Sequence, residues 1–384
     1  MQRVAQDWLV LDLSHGSGTA LGIATGLQFL PLLLFGLWGG AIADRYPKRR
    51  ILMLTQATAG ALALVLGVLA LTGAAAIWQV YALAFALGLV TVIDNPTRQT
   101  FVTEMVPPSD VPNAIALNSA IFNLARIAGP AVAGIVISAV GTPVAFIINA
   151  ASYGAVLAGL KLMRPAELHP VRRVARAKGQ LREALAYVRA RPDLMMPMVL
   201  IFFVATFGMN FQVTTALMSR GLFHTGAGAF GLASTVFAAG ALSGSLLAAR
   251  RSRPGLRLLF VTALSFGILE AVTGLMPTFW SFLALLVPTG FALLTFSTAA
   301  NATTQLATTA QMRGRVMGLY MLVFLGGAPL GSPLVGWLAE QFGPRMSLIA
   351  GGVISAGATA VVGLVLARRH GVPAREYLRP RHAA

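Results

Sequence analysis

Four ionisable side chains stand inside stretches otherwise almost free of charge: Arg3 and Asp7 near the start, Arg126 midway along 113–140, and Glu270 within 256–276. A charge in apolar surroundings is costly, and it marks a place where protons, ions or a polar ligand are handled. Arg3 and Asp7 are one helical turn apart, so a base and an acid can share a site. With Arg126, whose own stretch holds no acid, they form the candidate substrate-binding set; the guanidinium groups suit an anionic cargo. Arg126 has a second reading, as an internal tie between helix ends and carbonyls. Asp7 and Glu270 are the candidate proton carriers, since a carboxylate facing a cavity can alternate between neutral and charged forms. Were Glu270 to face lipid headgroups instead, it would have no such role. Glu340, at the end of its stretch, reads as interfacial.

Two further clusters sit where apolar stretches end. Asp94 and Arg98, in the string DNPTR, form an i,i+4 pair, or Arg98 reaches Asp44. A gate at one membrane face fits them better than proton coupling. The run GGAIADRYPKRR places Gly40, Asp44, Arg45, Lys48, Arg49 and Arg50 in a short basic hairpin between two such stretches.

Enzymatic chemistry finds no foothold. The chain has no cysteine, hence no thiol nucleophile or cysteine-bound metal. His15, His169, His224, His370 and His382 lie too far apart to make a local metal motif, and no phosphate-binding or nucleophile-elbow string occurs. The glycines at Gly226, Gly228 and Gly231 join two apolar stretches and follow no strand, so they read as loop and helix-packing residues. No metal, cofactor or catalytic residue is expected.

Membrane-spanning helices must position these residues. Of 384 residues, 57% are hydrophobic and 11% charged, against about 25% charged in soluble domains; mean hydropathy is +0.75. Stretches of the roughly 20 apolar residues that cross a bilayer recur at 20–43, 51–72, 77–97, 113–140, 144–163, 195–219, 228–249, 256–276, 279–306, 314–338 and 345–367, giving eleven full spans. The net charge of +17 is a matter of topology, not of nucleic acid binding. If the 44–50 hairpin is cytoplasmic, the cytoplasmic segments hold 25 of the 29 basic residues, as the resistance of basic loops to translocation requires. The expected location is the plasma (inner) membrane, with the hairpin, the linker 164–192 and the C-terminus cytoplasmic.

Internal repeats set the architecture. LSHGSGTALGIA (13–24) aligns without gaps with LFHTGAGAFGLA (222–233), pairing His15 with His224; Gly129, Gly134 and Gly141 match Gly331, Gly336 and Gly343 at an offset of 202. The fold expected is an all-α membrane protein of two six-helix halves in parallel pseudo-two-fold repeat, with a substrate site between them at mid-membrane. The first half is 1–163, the linker 164–192, the second half 193–367 and the tail 368–384. Met1 aligns with Asn210, well inside the seventh span, so the first helix is expected to be truncated and residues upstream of Met1 to complete it. In the linker, Leu181, Leu185 and Val188 suggest a helix lying on the membrane surface.

The hairpin motif G-x-x-x-D-R-x-x-[KR]-R-R resembles the loop between the second and third helices of the major facilitator superfamily. The strings MQRVAQDWLVLDL, TGLQFLPLLLFGLWGGAIADR, DNPTRQTFVTEMVP, NAIALNSAIFNLARIAGPAVAG and MRGRVMGLYMLVFLG resemble the branch containing the enterobactin exporter and the transmembrane secretion effectors. Pro47 in place of a loop glycine departs from that pattern. The resemblance implies a major facilitator fold and makes Asp44 a gate that contacts the start of the eleventh helix; the other reading is a topology-setting hairpin. Gly129, Pro130 and Gly134 resemble the core of the antiporter signature, a helix-packing motif, although Ala125 replaces its upstream glycine. Implied function is proton-driven export of a small amphipathic or anionic molecule, siderophore-like or drug-like. A transport-inactive membrane binding or sensing protein of the same fold is the alternative. The partners expected are the lipid bilayer, a small-molecule substrate and protons, with the protein a monomer.

Overall fold

The computed structural model describes residues 1–169, 180–250 and 255–370, and among them every regular element is helical. In chain order these are α1 (Gln2–Leu13), α2 (Gly18–Arg45), α3 (Lys48–Leu71), α4 (Ile77–Phe101), α5 (Val111–Leu162), α6 (Gln180–Arg189), α7 (Pro192–Phe203), α8 (Phe211–Leu217), α9 (Ala227–Ala249), α10 (Leu256–Gly274), α11 (Phe279–Ala307), α12 (Ala310–Phe342) and α13 (Pro344–His370). Ten helical stretches among the described residues are long and apolar enough to cross a membrane. One of them, α5, spans 52 residues and is broken at Gly141, whose φ of 85° and ψ of 166° are not helical, so it supplies two crossings. The spans are thus the eleven expected, with the short α1 beside them.

The repeat is written in the backbone. Gly343 takes φ 89° and ψ 157° between α12 and α13, the same corner as Gly141 at the offset of 202. Glycine occupies both because a side chain is strained at such φ. The other register gives the same result with a costlier residue: His15 and His224 are the only non-glycine residues with positive φ among the described residues, at 54° and 50°. Each ends the first span of its half.

Glycines seat the halves against each other. A Cβ on Gly18, Gly22 or Gly336 would strike backbone across the α2–α12 seam, and one on Gly231 or Gly134 would strike backbone across the α5–α9 seam. Small residues let membrane helices approach to backbone distance. Val4, Leu9, Val10 and Leu11 of α1 join Val213, Leu217, Phe230 and Ala339 of the second half in one buried cluster, with Trp8 stacked on Phe230 at 6.3 Å.

The linker helix differs from expectation. Ala184 and Val188 are fully buried against the second half, while Leu185 is 36% exposed; the Leu181 side chain lies outside the described residues. Glu183 pairs with Arg315 at 2.5 Å, and a hydrogen bond to Thr309 holds the Tyr187 hydroxyl below its ordinary pKa. The helix docks on the start of α12 through an i,i+4 pair of small apolar residues. Of the expected stripe Val188 is buried and Leu185 is not, and Ala184 takes the other buried place. Residues 170–179, 251–254 and the tail from 371 lie outside the described residues.

Candidate functional site

Contacts between the halves gather at the end that carries His15 and His224. There Glu340 of α12 accepts hydrogen bonds from the Ser17 hydroxyl at 2.7 Å and the Thr19 N–H at 2.8 Å. A carboxylate is thereby placed at the N-terminus of a helix from the other half, where its charge is favoured. Asp12 of α1 pairs with Arg220, whose guanidinium also covers the Trp8 ring at 5.4 Å. Along the α5–α9 seam the contacts reach Thr235, which donates to the Ile127 carbonyl at 3.2 Å. Beyond it, every residue from 115 to 122 is exposed. A helix bare around its whole circumference has no neighbour from the second half at that level. The molecule is closed at the His15 end and open toward the 44–50 end.

At the closed seam lies a polar cluster. Asp7 is fully buried, and neither of its carboxylate oxygens has a hydrogen-bond partner. Arg3 and Gln212 are the groups that act on it. Arg3 stacks its guanidinium over Phe29 at 4.9 Å, an attractive cation–π arrangement, and its Nε is unpartnered, as are Gln212 Nε2 and Thr25 Oγ1. Gln6 donates to Gln28 at 3.4 Å. Ser332 of α12 donates to Asn210 at 2.8 Å, and Asn210 in turn donates to the Thr206 carbonyl at 2.8 Å. Thus α1, α2, α8 and α12 converge on a pocket of buried polar atoms without partners. Each such atom costs about 1–3 kcal/mol, so a cluster of them signals groups that a ligand or proton satisfies.

Of the residues singled out from sequence, Arg3 and Asp7 come together here. Arg126 does not join them. It is exposed on the bare arm of α5 and makes no hydrogen bond or ion pair among the described residues. Glu270 lies in the second half, 1% exposed, which removes the lipid-headgroup reading. Asp94 is buried within the first half, accepting from Thr55 at 2.8 Å and Gln56 at 2.7 Å, with Arg98 3.5 Å away as the i,i+4 partner. In the hairpin, Lys48 pairs with Glu104 at 2.7 Å and Arg49 donates to the Leu160 and Lys161 carbonyls at 2.7 and 3.0 Å. Gly40 is buried, Asp44 half-buried, and Arg45 and Arg50 exposed. The Pro130 carbonyl and Gly134 pack on Gly231, whereas a Cβ on Gly129 would meet nothing. Sequence reasoning missed Gln212, Thr25, Asn210 and Ser332; polar residues inside apolar spans were the signal, and uncharged ones are too common there to stand out.

The family model described as transmembrane secretion effector matches residues 1–380. The chain is 28% identical over 370 residues to the multidrug efflux pump Tap of Mycobacterium tuberculosis (strain ATCC 25618 / H37Rv), covering 90% of this chain and 85% of that protein. It is 30% identical over 152 residues to the staphyloferrin A transporter of Staphylococcus aureus (strain NCTC 8325 / PS 47), a match spanning 39% of this chain and only 38% of that relative's length. Among solved structures, a bacterial homologue of the human lysosomal transporter Spinster, in an inward-facing and occupied conformation, superposes with a TM-score of 0.71 at 18% identity, covering 96% and 94% of the two chains. That likeness shows the fold, and together with the family match it makes this a major facilitator fold.

Proposed function

Since the chain belongs to the transmembrane secretion effector family and is thus a multi-pass membrane transporter, we propose that it is a proton-coupled exporter of a small amphipathic or anionic molecule, siderophore-like or drug-like. The observation that carries this reading is the buried, unpartnered Asp7 beside Arg3, at the seam where the two halves close. Export is supported by the relative named for multidrug efflux, and an anionic or amphipathic cargo by the one named as a staphyloferrin A transporter.

The basic hairpin, linker and tail are cytoplasmic in this reading, by the positive-inside rule. The open cavity then faces the cytoplasm of a plasma-membrane protein and admits cargo to Arg3, Gln212 and Thr25. Rocking of the halves exposes the site outward. A proton taken up by Asp7 there neutralises the only acid of the pocket, removes its pull on Arg3 and changes the pattern of donors the cargo meets. Return to the cytoplasm releases the proton, so proton and cargo cross in opposite directions. Asp44, at the cytoplasmic end of α2, is the gate that the family resemblance implies.

Proteoliposomes loaded with a pH-sensitive dye test this, with ethidium and staphyloferrin A as probe cargoes. Cargo movement should drive proton movement in the wild type and not in Asp7→Asn, which should remain folded. Cargo flux without proton movement in the wild type, or full coupling in Asp7→Asn, contradicts the reading.

A further inference from the structure

Glu270 lies on α10, outside the helices that form the central pocket. Its helix, α10, is pressed against α13 to backbone contact: a Cβ on Gly267 would meet the Gly352 carbonyl, and one on Gly352 the Gly267 carbonyl. Within this pair Glu270 Oε2 is buried without a hydrogen-bond partner. The space it fills is left by two glycines. A Cβ on Gly208 would stand 2.9 Å from Oε2, and one on Gly351 would stand 2.8 Å from Oε1 and 2.7 Å from the Phe207 carbonyl.

Gly208 and the Phe207 carbonyl belong to one element, the π-helical turn Val204–Gly208. Single π turns are uncommon and recur at functional positions, because shifting one hydrogen-bond register re-aims the backbone. Here the turn ends the first part of the seventh span, and Asn210, next but one, carries the bond to Ser332 of α12. The Ser332 carbonyl in turn bears on Gly22 of the first half. Facing Glu270 are the Phe266 ring from its own helix, Phe207 and Gly208 from the π turn, and Gly351 from α13. No charged or titratable group acts on it from these elements among the described residues.

We propose that Glu270 is a second proton-binding site, in the second half and separate from Asp7, whose occupancy sets the register of the π turn Val204–Gly208. A protonated carboxyl fits the surroundings: it is neutral, and its O–H can donate to the Phe207 carbonyl, which borders the same Gly351 and accepts only a long 3.4 Å bond from Asn210 Nδ2. Loss of the proton leaves an anion against a carbonyl oxygen with no donor to satisfy it, which an apolar interior penalises heavily. Shifting the turn by one register removes that carbonyl. The strain passes through Asn210 and Ser332 to the contact with the first half. This deepens the proton-coupled reading and rests on it for its use in transport, but the site can be tested without cargo.

Infrared spectra of the full chain in phosphatidylcholine vesicles, with hydrogen exchange of the 204–210 amides corrected for intrinsic rates, form the test. At neutral pH a protonated-carboxyl band should be present, retained in Asp7→Asn and lost when Glu270→Gln is added to Asp7→Asn. Protection of 204–210 should fall about tenfold for each unit of pH through the site's titration in the wild type and in Asp7→Asn, and stay constant in Glu270→Gln. Gly351→Ala, which crowds the carboxyl without removing it, should shift the pH at which protection falls. A band unchanged in the double variant, or the same loss of protection in Glu270→Gln, overturns the proposal. Either result can be had whether or not the wild type couples cargo to protons, so failure of this site and failure of the exporter reading are told apart.

Discussion

At the scale of single residues, charge inside the membrane was the legible signal and its partners were not. Arg3, Asp7 and Glu270 stand out in the sequence because a charge in an apolar stretch must be explained, and the first two do meet in one pocket. Arg126 was legible as an oddity but not as a location. Its helix is bare at that level because the halves diverge there, a fact of the conformation. The cargo-ligand and internal-tie readings of Arg126 now separate. Making no ion pair among the described residues, it leaves no buried partner to strand, so Arg126→Gln should change thermal stability by no more than about 0.5 kcal/mol. In the proposed cycle it lies on the cargo's way in, and the variant should raise the apparent KM for an anionic cargo while sparing a neutral one. Loss of folding, or equal effects on both cargoes, would return Arg126 to the role of a tie.

At the scale of elements, the repeat foretold corners that propensity alone does not. Gly141 and Gly343 were paired by spacing and share one backbone conformation, and so do His15 and His224. A left-handed histidine carries strain of about 1–3 kcal/mol, kept in both halves where a span ends at the closed side. His15→Gly should therefore be neutral or stabilising by up to about 1 kcal/mol, and His15→Val should destabilise, both read by thermal unfolding in detergent. A stable valine variant would show that the positive φ is not required. The docked face of α6 could not be read in this way. An interfacial helix and a docked one share the same amphipathic pattern, and only the ion pair from Glu183 to Arg315 and the burial of Ala184 tell them apart.

At the scale of the whole molecule, two halves meet on glycine seams at one end and part at the other. The closed end is held by few polar contacts: Glu340 capping α2, and Asp12 with Arg220. The repeat explains why they are asymmetric. The counterpart of Glu340 at the offset of 202 is Ser138, which faces Gly228, so of the α2–α12 and α5–α9 seams only the first carries a charged contact among the described residues. The helix count, the two halves and the seam glycines were legible from hydropathy and spacing; which end is closed was not, since both closures satisfy one sequence. The absence of cysteine allows the most direct test, electron-spin distance measurement in vesicles on paired labels. One pair, Met105→Cys with Leu306→Cys, spans the open end; the other, Ala74→Cys with Pro277→Cys, spans the closed end. On loading with ethidium the first distance should shorten as the second lengthens, acidification should reverse both changes, and Asp7→Asn should abolish the pH response. Two distances that stay fixed, or that lengthen together, would contradict alternating access about the Asp7 seam.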